Sequence, residues 1–244
     1  MTRDRLSGKR KIDDKVTVAV IHTSPLTVDP IKALVAELLP AADVINFVDD
    51  SILPQLARNG GDVSEVEQRL LSYAGFAAQV GADVILNACS SVGEVVAAMR
   101  EKVSVPVVRI DDAMTDEAIR RGTRIGVAAT RQTTLAPTLA MLRRKAEAAG
   151  TGAVFDARVA NDAFDLLAAG DREGHDRALA EMLDELAAAN DIVVLAQASM
   201  ARVLPSLTEE KRDKFLSSPR LAVERVARVL DDAGSRRTEE RDQW

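Results

Sequence analysis

The stretch Val84-Ile85-Leu86-Asn87-Ala88-Cys89-Ser90-Ser91-Val92-Gly93 decides the fold. A short apolar run bounded by polar residues has the length of a buried strand, and Glu94–Glu101 after it reads as a helix. Between them lies a small polar cluster that holds the only cysteine in 244 residues. Cys89 is therefore expected where a strand hands over to a helix N-terminus. Unpaired backbone N–H groups and the positive end of the helix dipole favour an anion there, and thiolate over thiol.

The same layout recurs in Asp191-Ile192-Val193-Val194-Leu195-Ala196-Gln197-Ala198-Ser199-Met200-Ala201. Asp83 aligns with Asp191, Ala88 with Ala196, Ser91 with Ser199 and Val95 with Val203, and Gln197 takes the place of Cys89 at an offset of 197 − 89 = 108 residues. A second pair of segments aligns Val20 with Val127, Thr23 with Thr130, Thr27 with Thr134, Pro30 with Pro137 and Ala33 with Ala140, at 130 − 23 = 107. Two independent segment pairs at almost one offset indicate an internal duplication.

Outward from these anchors, strands are expected at Val16–Ile21, Asp43–Val48, the Cys89 run, Val105–Ile110, Arg124–Ala129, Ala153–Val159 and the Gln197 run. Helices are expected at Ile31–Leu39 behind an Asp29-Pro30 cap, then Ser51–Asn59, Val63–Val80, Met114–Arg120, Pro137–Ala149, Asp162–Leu167 and Gly174–Ala189. Leu204–Leu216 and Pro219–Leu230 read as closing helices. Strands alternating with helical stretches predict an α/β protein with parallel sheets covered on both faces. The duplication makes it two similar lobes, each a parallel sheet flanked by helices, related by pseudo-twofold symmetry with the site in the cleft between them. Residues 16–112 form the first lobe, joined by C-terminal helices in 206–231, and residues 113–205 form the second. Residues 1–15 and 232–244 read as flexible tails.

Composition narrows the function. Net charge is −6 and aromatics are 3%, which argues against a phosphate-backbone binder or a base-stacking surface. No apolar run approaches a membrane span, and the charged start lacks the apolar core of an export signal. One cysteine forms no internal disulfide and suits a reducing cytoplasm. Two histidines and one cysteine make a poor transition-metal set, so no metal is expected. There is no Walker-type loop, no GxGxxG after the first strand and no GxSxG elbow.

In parallel sheets ligands bind beyond the carboxyl ends of the strands. His22, Asp49, Cys89, Asp111, Thr130 and Gln197 all fall at such ends. Cys89 is a candidate acid/base or nucleophile, although most lone cysteines are small buried thiols. His22 titrates in a useful range and is a candidate second proton carrier, or equally a loop-holding hydrogen-bonding group. Thr23, Ser24, Thr130, Arg131, Thr133 and Thr134 form matched hydroxyl-rich turns suited to a carboxylate, with N-capping as the alternative role. Asn87, Ser90, Ser91, Gln197, Ala198 and Ser199 flank the two strand tips. Asp49 and Asp111 could orient substrate or cap the following helices, and Arg109 could pair with Asp111 or substrate.

These residues resemble the aspartate/glutamate racemase superfamily over roughly Val16–Pro205. The resemblance is carried by Ile21-His22-Thr23-Ser24, Asn87-Ala88-Cys89-Ser90-Ser91, Thr130-Arg131-Gln132-Thr133-Thr134 and Ala196-Gln197-Ala198-Ser199. It implies two α/β lobes, a cofactor-independent site between them and a small carboxylic-acid substrate. Members of this superfamily place one cysteine after a strand in each lobe, and the two thiols work on opposite faces of the carbon next to a carboxylate. Cys89 matches the first; Gln197 occupies the second position, and an amide does not shuttle protons near neutral pH. The resemblance therefore implies a racemase or isomerase with a single cysteine acid/base. The alternatives are a decarboxylase or lyase that protonates an enediolate from one face, and a carboxylate-binding protein that has lost turnover. Exposed helices in such folds often pair, so a homo-oligomer is compatible with this reading.

Overall fold

The computed structural model describes residues 15–242; the side chains of Phe164, Leu167, Ala168, Ala198, Ser199 and residues 234–242 lie outside that description. The tail expected at 1–15 therefore falls almost wholly outside it. The first lobe contains β1 (Thr17–His22), α1 (Val28–Leu38), β2 (Asp43–Val48), α2 (Ile52–Arg58), α3 (Ser64–Gln79), β3 (Val84–Asn87), α4 (Val96–Lys102), β4 (Val107–Arg109) and α5 (Asp112–Arg121). The second contains β5 (Arg124–Ala129), α6 (Gln132–Ala149), β6 (Val154–Val159), α7 (Asn161–Ala168), α8 (Arg172–Ala189), β7 (Ile192–Leu195), α9 (Glu209–Arg212), β8 (Phe215–Ser217) and α10 (Ser218–Asp242).

Each sheet has four parallel strands, ordered β2-β1-β3-β4 and β6-β5-β7-β8. The two orders are one topology written twice. The aligned aspartates explain part of the repeat. Thr17 N–H donates to the Asp83 carboxylate at 2.9 Å, and Arg124 N–H donates to Asp191 at 2.8 Å, so each clasps the start of its lobe's first strand. Ala88 N–H donates to Ile21 O and Ala196 N–H to Ala128 O, both at 2.9 Å, which ties the two strand tips to their neighbours alike.

The central strands are buried on both faces, as their continuous apolar runs require. Val84, Ile85 and Leu86 are fully buried, and each contributes on the order of 1.5–3 kcal/mol relative to exposure. One face of the first sheet packs on α2, α3 and α4 through Ile52, Leu70 and Met99. Its other face packs on α1 and α10 through Ile31, Val35, Val223 and Val226. The second sheet packs on α7 and α8 through Ala163, Leu179 and Leu183, and on α5 and α6 through Met114, Ala118 and Leu142. Thus α5 follows the first sheet but covers the second, and α10 follows the second sheet but covers the first. This exchange locks the lobes together.

Several expected boundaries move. The stretch expected as one helix over Leu204–Leu216 is a 3-10 segment (Ala198–Ser206), the short α9, and then β8, because Phe215 and Leu216 are buried in the second sheet. The chain through Ser217 therefore belongs to the second sheet, twelve residues past the expected boundary at 205. α10 continues to Asp242 instead of ending at Leu230. α6 starts at Gln132 rather than Pro137; proline at the sixth helical position is unusual, since its ring crowds the carbonyl four residues earlier. α1 starts at Val28, with Asp29 and Pro30 in its first turn, where the backbone N–H has no intrahelical partner in any case. A 3-10 segment (Ser90–Val95) precedes α4, so the helix expected from Glu94 begins at Val96.

Candidate functional site

Both strand tips open into one cleft of about 940 Å3 whose walls include Cys89 and Gln197. Cys89 follows β3 in extended conformation (φ −139°, ψ 118°) and leads into its 3-10 segment. Gln197 follows β7 with nearly the same backbone (φ −130°, ψ 130°) and leads into the equivalent segment. The tips of β4 and β8 contribute the matched residues Ile110 and Ser218.

Four donors face the Cys89 sulfur: the hydroxyls of Thr23 and Ser91 and the backbone N–H groups of Ser91 and Val92. Burial raises the thiol above its ordinary value and outweighs the pull of these donors, which acts in the opposite sense although none closes a cap hydrogen bond to the sulfur. At neutral pH the sulfur therefore holds its proton, yet the donors stand ready to receive negative charge on it. On the other side, Gln197 Oε1 accepts from Thr130 N–H at 2.6 Å and from the Thr130 hydroxyl at 2.9 Å. Thr23 and Thr130 thus perform equivalent duties toward Cys89 and Gln197. With its oxygen engaged, the Gln197 amide has its NH2 donors left for the cleft.

Asn87 shapes the Cys89 turn from beneath. It is fully buried, and its Oδ1 accepts from Cys89 N–H at 3.2 Å. Gly93 is demanded by close approach: a Cβ there would lie 2.3 Å from Arg109 Cζ and Nε. Arg109 is buried and forms a two-pronged ion pair with the fully buried Asp111, at 2.5 and 2.8 Å. That pair supports the thiol-bearing turn and does not line the cleft, so Asp111 is placed as a framework residue and not as a substrate contact.

Asp49 is likewise turned away from the cleft. Its carboxylate accepts from Ser51 N–H and hydroxyl, from the Tyr73 hydroxyl at 2.9 Å and from Arg69 at 3.0 Å. Burial raises its pKa, but the hydrogen bonds of Ser51 and Tyr73 and the Arg69 charge outweigh this and hold it below the usual carboxylate value. His22 is fully buried, with Nδ1 2.7 Å from Thr27 Oγ1 and Nε2 2.9 Å from Asn46 Oδ1. Burial depresses its pKa despite the Asn46 bond. With both ring nitrogens occupied and no face on the cleft, the imidazole fixes the β1 turn and is not positioned as a second proton carrier.

Thr23, Ser24, Ser90, Ser91, Arg131 and Thr134 do line the cleft. Ser24 also caps a 3-10 turn by accepting from Leu26 N–H. Arg131, Thr133 and Thr134 bring the N-terminus of α6, and so its positive dipole end, to the cleft wall. Thr130 acts through Gln197. Ala198 and Ser199 open the 3-10 segment after Gln197, and their side chains lie outside the described residues.

The cleft also has walls that the strand-end rule did not single out: Leu53, Pro54 and Ala57 of α2, Pro219 of α10, and Glu94. The helix after β2 lies on the same carboxyl side as the tips, which was the available signal for α2. Nothing in the sequence pointed to Pro219, which arrives through the helix exchange.

A profile of the Asp/Glu/Hydantoin racemase family matches residues 19–226. No curated protein sequence matches. Among solved structures, a glutamate racemase from Bacillus anthracis is similar at TM-score 0.72 and 17% identity, with 90% of this chain and 83% of that chain covered. A glutamate racemase from Francisella tularensis, solved with D-glutamate, gives 0.70 and 16%, covering 91% and 83%. An allantoin racemase from Klebsiella pneumoniae gives 0.62 and 19%, covering 89% of each chain. With two identically ordered parallel sheets meeting at one cleft and a family match running through both of them, this chain belongs to the Asp/Glu/Hydantoin racemase family.

Proposed function

We propose that this protein is a cofactor-independent enzyme of racemase/isomerase type that moves a proton at the carbon next to the carboxylate of a small acid, with Cys89 as its acid/base group on one face. The observation that carries this reading is the shared cleft with a thiol at one tip and an amide at the other. The carboxylate would be held by the Thr23, Ser24 and Ser91 side of the cleft and by the N-terminus of α6 with Arg131. The enolate-like charge would fall among hydrogen-bond donors, including the Gln197 NH2.

Gln197 sets the stereochemistry. From the second lobe the described cleft wall carries Arg131, Thr133, Thr134, Ala136, Gln197 and Ser218 among others, and it offers no carboxylate, imidazole, thiol, phenol or lysine. A proton for the far face then comes from water in the cleft, so exchange at the α-carbon outpaces inversion. A second reading, a decarboxylase or lyase, is favoured by the same glutamine together with the raised thiol pKa. A protonated thiol on one face is suited to quench an enediolate left by departing CO2.

The experiment is incubation with small carboxylic acids in heavy water, with α-deuterium, optical rotation and CO2 followed together. Exchange abolished by Cys89→Ala supports the proposal, and CO2 release selects the second reading. Carboxylate binding with neither exchange nor CO2 release would show a binding protein and remove the proposal.

A further inference from the structure

We propose that the acid taken by this cleft carries an apolar substituent, branched aliphatic or aryl, on the carbon next to its carboxylate, in place of the ammonium and second carboxylate of an acidic amino acid. This rests on the reading of the cleft as a carboxylate site. The cleft has two unlike parts. Around the tips of β3 and β7 the wall is made of hydroxyls and amides. Toward β2, two strands from the thiol, it is apolar, with Leu53, Pro54 and Ala57 of α2 and Ile31 of α1. Ala140 of α6 and Pro219 of α10 also line the cleft without a polar side chain.

Charge points the same way. Among the described lining residues only Glu94 and Arg131 are charged. One carboxylate is served by the hydroxyls, the α6 N-terminus and Arg131. A second carboxylate would then meet no further cation, and desolvating it against Leu53 and Ile31 is unfavourable. For an ammonium group the one carboxylate among the described lining residues is Glu94, which is exposed to solvent. Size agrees: about 940 Å3 is at the upper end of small-molecule sites, and a four- or five-carbon amino acid leaves most of it unfilled. Burying one branched or aromatic group on that wall raises affinity about 10- to 100-fold.

The test is equilibrium binding to the Cys89→Ala protein, paired with α-proton exchange by the wild type. The acids are propionate, L-aspartate, L-glutamate and 2-phenylpropionate. The expected result is that 2-phenylpropionate binds at least about tenfold more tightly than the other three. Leu53→Asn is expected to shrink its advantage over propionate by about tenfold. Aspartate or glutamate binding as tightly as 2-phenylpropionate overturns the inference, as does an advantage untouched by Leu53→Asn. The two readings fail differently. The apolar preference without exchange of any acid keeps the ligand class and removes the chemistry. Exchange fastest on L-glutamate keeps the chemistry and removes the ligand class. Binding of none removes both.

Discussion

Gly93→Ala is expected to unseat the thiol-bearing turn without touching the thiol. The new methyl would sit 2.3 Å from Arg109 Cζ and Nε and 2.6 Å from Nη2, well inside contact distance. An arginine head is normally free to swing aside. Here it is buried and bonded through Nε and Nη2 to Asp111, whose side chain has no solvent exposure. Moving the guanidinium by the required ångström or more breaks both bonds and leaves a buried carboxylate without its partner. Removing one partner of such a pair costs about 3–5 kcal/mol. The alternative is that the 90–95 turn lifts, which carries Cys89 away from Thr23. Urea unfolding is the assay for the first outcome. With a slope of roughly 2–3 kcal/mol/M, the midpoint falls by about 1–2 M. Exchange activity under native conditions measures the second, and about tenfold loss is expected from misplacing the acid/base group. Arg109→Met with Asp111→Asn makes room, so Gly93→Ala added to that pair is expected to cost under about 1 kcal/mol, a non-additivity typical of contacting residues. A wild-type unfolding midpoint together with full activity in Gly93→Ala would refute the reasoning, because no free space remains for the methyl.

Cys89→Ala is expected to reduce exchange about 10²- to 10⁴-fold. Circular dichroism and the urea midpoint would stay near wild type, separating chemistry from folding. Since burial raises the Cys89 pKa, iodoacetamide should label it slowly at pH 7, with the rate climbing beyond the ordinary thiol range; rapid labelling at neutral pH would contradict the burial. Gln197→Cys places a second thiol on the far face, and the ratio of inversion to exchange is expected to rise about tenfold or more, read by polarimetry against deuterium uptake. For His22 the sign runs toward acid. Its folded pKa lies below the unfolded 6.5, so the unfolded chain binds the extra proton first, and stability falls as pH drops below 6.5 toward the folded value. His22→Gln should remove that part of the acid-side loss in pH-dependent unfolding, and should lower stability at pH 7 by about 1–3 kcal/mol if Asn46 loses its partner.

The alternation of apolar runs with helical stretches was enough to read two α/β lobes. A four-residue run such as Val84–Asn87, apolar on both sides of the pleat, has few stable placements other than a central strand. The repeat around Cys89 and Gln197 was legible because both tips must make the same backbone turn and the same bond from Ala88 or Ala196 to the neighbouring strand. The roles of the strand-end polar residues were not legible. His22, Asp49 and Asp111 stand at strand ends in the sequence just as Cys89 does. Only packing shows that Asn46 and Thr27 take up the imidazole, that Ser51, Tyr73 and Arg69 take up one carboxylate, and that Arg109 takes up the other.

The amino-acid order alone established the doubled parallel-sheet architecture, the lone sulfur at one strand tip and the amide at the equivalent tip of the repeat, because local periodicity and spacing are properties of the chain. Tertiary structure decided that the two tips share one cleft, that α5 and α10 change sheets, and that α2 and Pro219 close an apolar wall. Those facts depend on contacts between residues far apart in the chain, and the free energy that selects them comes from burying surface that no local pattern records.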